Sequence, residues 1–256
     1  LDDDELRRML TEEQAMTYAT SPPLPGPQTV TSVSVTELDD PEAIVAMCLE
    51  AVTRLDSQML NTTLRRASVS FGRLQLLQGI VVPLMARIGQ GWRAGELRPF
   101  HEHMATVVMR TFLTQLPGAY RSSPSAPALI VATPAGQYHD LGALLVAATA
   151  SADDWKIVLL GASLPAEEIA GAFLQANARA IALSITFPAD DPHLGDELLR
   201  LRDLIGNHVP LLVGGRASHG YTPYLESIKA HQVNDLATFE TLLQTLRNSS
   251  TESLRE

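Results

Sequence analysis

Apolar residues along this chain follow two different periods. Between Pro41 and Phe112 they recur at spacings of three and four: Ile44, Cys48, Ala51, Val52 and Leu55, then Leu74, Leu77, Ile80, Val81, Leu84, Met85 and Ile88, then Met104, Val107, Val108, Thr111 and Phe112. That period is helical, with one apolar stripe per helix. Asp40–Pro41 followed by Glu42 reads as a helix start, with proline at the first helical position and a carboxylate in the first turn; Pro99 opens a further helix. About four helices fit, and short connections between them favour an antiparallel bundle.

From residue 128 onward the pattern changes. ALIVATP, WKIVLLG, AIALSIT and PLLVGG are short Val-, Ile- and Leu-rich runs, with helix-like stretches between them at 141–150, 166–176 and 194–206. Strands that are apolar on both faces and alternate with helices pack as a parallel sheet with right-handed crossovers. A weaker strand at 231–235 and a last helix at 236–247 complete five βα units. The expected fold is a four-helix bundle cap followed by a flavodoxin-like, doubly wound, five-stranded parallel sheet. In such sheets ligands bind beyond the carboxyl ends of the strands.

Two stretches rich in proline, glycine and serine punctuate the chain, SPPLPGPQ at Ser21–Gln28 and LPGAYRSSPSAP at Leu116–Pro127. They divide it into an acidic N-terminal segment and linker, 1–36, a helical cap, 37–120, and an α/β part, 121–256. Charge follows the same division. Residues 1–50 carry 11 acidic and 2 basic side chains, residues 51–125 carry 3 and 9, and residues 126–256 carry 15 and 8. The total of −10 argues against a nucleic-acid-binding surface within the chain. No apolar run is long enough to span a membrane. Cys48 is the single cysteine, which excludes an intrachain disulfide framework and points to a reducing, cytoplasmic compartment. The first residue is Leu1, so the chain reads as a fragment or a processed product. No nucleophile–base–orienter set and no phosphate-binding loop is present, and the chain does not read as an enzyme.

Chemistry concentrates at the expected carboxyl edge of the sheet. The loop after the first strand contains Gln137, His139, Asp140 and Gly142. Ser184 and Thr186 end the third strand, with 41 residues between Gly142 and Ser184. Gly214–Gly215 ends the fourth, with 27 residues between Thr186 and Gly214. Small residues there leave room for a planar group beside the backbone. Together these elements resemble the cobalamin-binding signature Asp-x-His-x-x-Gly, Ser-x-Leu, Gly-Gly. The helical part adds a second resemblance. Pro83 to Trp92 is similar to the PLL-x-x-IG-x-x-W helix of cobalamin-binding bundles, and Glu102–His103 follows Trp92 by ten residues. This arrangement resembles the adenosylcobalamin-binding cap of CarH-type photoreceptors, light-sensing members of the MerR family of transcription regulators. The acidic start Leu1–Leu10 is similar to the end of the helix-turn-helix domain in those regulators.

The resemblance implies a mechanism. Cobalamin binds with its nucleotide tail displaced, and His139 becomes the lower axial ligand of cobalt, a suitable donor as neutral imidazole. Ser184 meets the tail base, while Gly214 and Gly215 make space. Trp92 packs over the upper ligand, and Glu102 and His103 hydrogen-bond the adenosyl group or corrin edge. Light cleaves the cobalt–carbon bond and changes the oligomeric state, a dimer or tetramer. DNA is contacted only through an N-terminal domain absent from this chain. Three departures stand out. Gln137 replaces the usual carboxylate two residues before the ligand histidine and keeps only a neutral acceptor for the imidazole N–H. Thr186 replaces leucine. Arg93 stands where light-sensing members carry a histidine that captures cobalt after photolysis, and arginine cannot ligate. His101 and His103 lie nearby, off the motif position. The alternatives are a corrinoid carrier module for methyl transfer, like those of methionine synthase, and a sensor that uses a modified or additional tetrapyrrole.

Overall fold

A computed structural model describes residues 40–116 and 122–252. The expected N-terminal segment and its Pro-rich linker lie outside those residues, as does the central part of the 116–127 stretch. Four helices come first: α1 (Pro41–Thr53), α2 (Ser57–Ser70), α3 and α4 (Pro99–Thr114). The third is continuous but not uniform. It runs as Arg73–Leu76, a π-helical stretch Leu77–Val81, and Val82–Arg93. Pro83 accounts for the irregularity. It has no N–H for the Gly79 carbonyl and its ring crowds that carbonyl, so the helix widens by one residue before it. The Val82 N–H reaches back to the Leu77 carbonyl, five residues away.

The caps form as their residue types dictate. Asp40 accepts from the Glu42 N–H at 3.0 Å, and Asp56 accepts from the Met59 N–H at 2.8 Å. Ile44, Cys48, Ala51 and Val52 of α1 are fully buried, whereas Leu55 is not. Leu55 has passed the helix end into a left-handed conformation (φ 55°) that turns the chain toward α2. The apolar face of α4 also differs from the expected one. Ala105, Val108, Met109, Phe112 and Leu113 are buried, while Val107 is 64% exposed and Thr111 faces water. Apolar residues occur on more than one side of this helix, so the period alone does not select the face that packs.

The sheet is all parallel, in the order β2-β1-β3-β4-β5, from β1 (Ala128–Pro134), β2 (Lys156–Leu164), β3 (Ala180–Ser184), β4 (Leu211–Gly214) and β5 (His231–Val233). Its helices are α5 (Leu141–Ala152), α6 (Ala166–Gln175), α7 (Leu194–Ile205), the short α8 (Thr222–Ser227) and α9 (Leu236–Glu252). This is the flavodoxin-like order, and the order reverses between β1 and β3, where ligands bind. β1 alternates strictly. Leu129 and Val131 pack with Ala143, Ala147, Trp155, Phe239 and Leu243 on one face, and Ile130 and Ala132 pack with α6 and α7 on the other. The bundle core is continuous with α5 through Leu144, Leu145 and Ala148. Each fully buried Leu or Ile contributes about 1.5–3 kcal/mol, so this seam holds the helical part firmly against the α/β part. Among the described residues no helix is long and apolar enough to cross a membrane.

Candidate functional site

The loop between β1 and α5 is shaped by glycine and by Thr133. Gly136 sits at φ +80°, a conformation side chains resist. The Thr133 hydroxyl donates to the Gln137 carbonyl and accepts from the Ser163 N–H at 2.8 Å, which anchors the loop to the end of β2. The loop then sends Gln137 inward and His139 outward. Gln137 is fully buried. Its side-chain oxygen accepts from the Thr186 and Phe187 N–H groups at 3.0 and 3.1 Å, and its amide nitrogen donates to the Pro188 carbonyl at 3.0 Å. The expected role of Gln137 as hydrogen-bond partner of the His139 imidazole is therefore corrected. Its amide is committed to the loop after β3, joining the two loops that flank the switch point.

His139 is exposed, and the Phe187 ring meets it edge-on with centroids 5.6 Å apart. Asp140 behaves differently from its neighbour. It is 8% exposed, and one carboxylate oxygen pairs with the Arg110 guanidinium of α4. Among the described residues no group of three or more His, Cys, Asp or Glu could hold a metal ion by itself.

The small residues converge. Ser184 and Gly214 are register partners across β3 and β4, and Gly214 pairs with Val233 on β5. A Cβ on Gly142 would collide with the Ser184 hydroxyl, and one on Gly214 would lie 2.9 Å from the Val233 carbonyl oxygen. At Gly215, φ +101°, a Cβ would fall on the Ile185 carbonyl oxygen. The Thr186 hydroxyl stands 3.5 Å from that of Ser184. Beside these residues lies a cavity of about 610 Å³, lined by Gly142, Ser184, Gly214, Gly215, Asp235 and Phe239 among others. Its walls are mostly apolar. Gln78 and Val82, at the π-helical stretch of α3, complete the lining from the helical part.

The remaining expected site residues sit on the bundle. Trp92 is 50% exposed at the end of α3. Arg93 is exposed and its side chain lies back along its own helix beside Gly89. Glu102 accepts from the Thr106 hydroxyl at 2.8 Å and holds the His103 imidazole at 2.7 Å. His101 is engaged at the start of α4, where its Nδ1 accepts from the Arg98 N–H at 2.9 Å. No direct bond joins Glu102 or His103 to His139 among the described residues; the link between helical part and histidine loop is Arg110 with Asp140. Sequence reasoning missed Arg110, Phe187, Gln78 and Val82. Only the last pair left a signal, Gly79 and Pro83 four residues apart inside one helical pattern.

Comparison with known proteins finds two family models along the chain. Residues 127–233 match the family model described as B12 binding domain, and residues 44–116 match a second model of that description. Among curated proteins, the HTH-type transcriptional repressor CarH of Myxococcus xanthus is 24% identical over 183 residues, 72% of this chain and 61% of that protein. The HTH-type transcriptional repressor CarA of the same organism is 25% identical over 174 residues, 67% of this chain and 57% of that protein. The chain thus spans about three fifths of the curated relatives it matches. Among solved structures, the monomethylamine corrinoid protein of Methanosarcina barkeri shares the fold, with TM-score 0.65 and 18% identity over 83% of this chain and 100% of that one.

Proposed function

We propose that this chain, whose helical and α/β parts are both B12 binding domains, is the cofactor-binding sensory part of a cytoplasmic, CarH-like transcription regulator that responds to light. The observation that carries the reading is the convergence of Gly142, Ser184, Gly214 and Gly215 on one mostly apolar cavity at the carboxyl edge of the sheet, with the exposed His139 three residues before Gly142 in the loop that leads into α5. That arrangement fits a corrinoid. A Cβ at any of the three glycines would intrude on neighbouring atoms, and the cavity is large enough for a flat heteroaromatic group and its sugar.

When bound, adenosylcobalamin supplies a cobalt–carbon bond that light can break. The residues of the chain would hold it from two sides. His139 would offer an imidazole nitrogen to the metal, and the Phe187 ring packs edge-on against that imidazole. Ser184 offers its hydroxyl to the tail, and Thr186 extends the polar strip. Trp92, half exposed at the end of α3, would offer a flat apolar surface to the bound group. Glu102 is held by Thr106 and in turn orients His103, so the pair presents polar atoms in fixed positions. Arg93, a protonated guanidinium, would offer the metal no ligand at the motif position. DNA would be bound through a helix-turn-helix domain outside this chain, and a change of self-association would carry the signal.

The corrinoid-carrier reading shares the fold. The upper surface separates the two: a bulky tryptophan favours the adenosyl group, while a methyl carrier gains nothing from it. Equilibrium dialysis against adenosylcobalamin and methylcobalamin decides. The sensor reading expects tighter binding of the adenosyl form and loss of that preference in W92A. Equal binding of both forms, unchanged by W92A, counts for the carrier. Failure to bind either form removes both readings.

A further inference from the structure

Asp140 occupies the N-cap position of α5, and aspartate is among the best residues for that role. Here its carboxylate does not cap the helix. One oxygen reaches across to Arg110 on α4, 30 residues away in sequence. The other is buried with no hydrogen-bond partner among the described residues. A buried carboxylate with one free oxygen is costly, and a residue that gives up its local role marks a constraint imposed from elsewhere. The constraint comes from the helical part. Glu102, Thr106 and Arg110 recur every fourth residue and so share one side of α4. The first two are joined by a hydrogen bond, and the third ends on the residue that follows His139.

We infer that Arg110 is a positioning residue for His139: its pair with Asp140 clasps the histidine loop to the cofactor-facing side of α4. The clasp has a built-in competitor. Released from Arg110, the Asp140 carboxylate is free to turn to the first amides of α5, the role its residue type prefers, once its backbone leaves the helical conformation it holds here (φ −99°, ψ −2°) for the extended one of a capping residue. The helical part therefore fixes where the histidine stands, although among the described residues it makes no hydrogen bond or ring contact with the histidine itself. Neither partner is exchangeable at will. Arg110 supplies a planar, multi-donor head, and a lysine keeps only the charge.

This inference rests on the proposed function for its consequence at the metal, but the clasp itself is measurable without cofactor. Hydrogen exchange is recorded on the cofactor-free chain and on R110A, D140A, D140N, R110A/D140A and R110K. R66A, at an exposed arginine of α2, serves as control. We expect amides of α4 and of residues 135–141 to exchange about tenfold faster in R110A and in either Asp140 variant, with no further increase in the double variant and partial restoration in R110K (tenfold corresponding to about 1.4 kcal/mol). D140N keeps the side chain's shape, so the expectation stands even where R110A folds poorly. Exchange equal to wild type in R110A and D140A overturns the clasp, as do increases that simply add in the double variant. Each protein is then mixed with hydroxocobalamin and its visible spectrum recorded. Loss of the histidine-ligated spectrum in R110A and D140N at retained binding supports the positioning role; an unchanged spectrum overturns it. Wild-type chain that retains no hydroxocobalamin defeats the proposed function, while the exchange data still decide the clasp.

Discussion

Gly142 and Ser184 have 41 residues between them in sequence and less than one methyl group between them in space: a Cβ on Gly142 would fall on the Ser184 hydroxyl. The first turn of α5 and the end of β3 thus meet at one point on the cavity wall. The fit is one of absence, since any side chain at 142 would push the hydroxyl from where it stands.

G142A tests that closeness. Overpacking of this kind costs about 1–3 kcal/mol. The variant is expected to fold, to melt at lower temperature, and to retain cobalamin at least about tenfold more weakly, a loss of roughly 1.4 kcal/mol. Gel filtration followed by the corrin absorbance of the protein peak measures it. Wild-type retention in G142A means that the meeting of these residues has no bearing on the cofactor.

Gln137 makes a different prediction, because its work lies in the fold. Q137L keeps much of the volume and removes the amide that holds Thr186, Phe187 and Pro188. Two N–H groups and a carbonyl then lose their partner, at a combined cost of about 3 kcal/mol or more. Q137E retains acceptors for the two N–H groups but no donor for Pro188, so it should fall between Q137L and wild type. Urea unfolding ranks the three; a Q137L midpoint equal to wild type would contradict the bridging role.

Gly215 should tolerate no side chain. Its φ of +101° and its approach to the Ile185 carbonyl act together. G215A combines backbone strain with a clash against main chain, and a loss of about 2–4 kcal/mol follows. Thermal melts should show a clearly larger drop than in G95A. Gly95 also has a positive φ, but a Cβ there meets nothing within 4 Å.

Cys48 gives the pH dependence. Burial in the bundle pushes its thiol up to about 12. The folded state therefore holds this proton more tightly than the unfolded chain, where a thiol titrates near 8.5. The stability it contributes is fully present below that ordinary value and is lost as pH rises toward 12. C48A should flatten the alkaline limb of the stability curve. Ellman's reagent should not label native Cys48 at pH 8 and should label it fully in urea. Rapid labelling without denaturant would place the thiol outside the core.

Much of this was legible in the residues. The switch from a helical period to Val/Ile/Leu runs gave the two parts, and all five strands form within a few residues of their expected places. Spacing alone brought Gly142, Ser184 and Gly214 to one edge, because parallel strands of similar length end level with each other. Three things were not legible. The face of α4 could not be chosen while apolar residues lay on both sides of it. The inward turn of Gln137 depends on Gly136 and on Thr133 bonding to Ser163, contacts that no local pattern encodes. The pairing of Arg110 with Asp140 depends on how the helical part docks on α5, which follows from packing and not from either segment's own sequence.

On the proposed function, His139 and Trp92 would hold adenosylcobalamin between them in a light-responsive site. The most direct test loads the chain with adenosylcobalamin in the dark, removes free ligand and records the visible spectrum before and after green light, with H139A in parallel. The wild-type chain is expected to retain a corrin whose histidine-ligated spectrum changes irreversibly on illumination, and H139A is expected to lose the histidine-ligated form. Corrin that washes away from the wild-type chain, or a spectrum identical in H139A and unmoved by light, would contradict the proposed function.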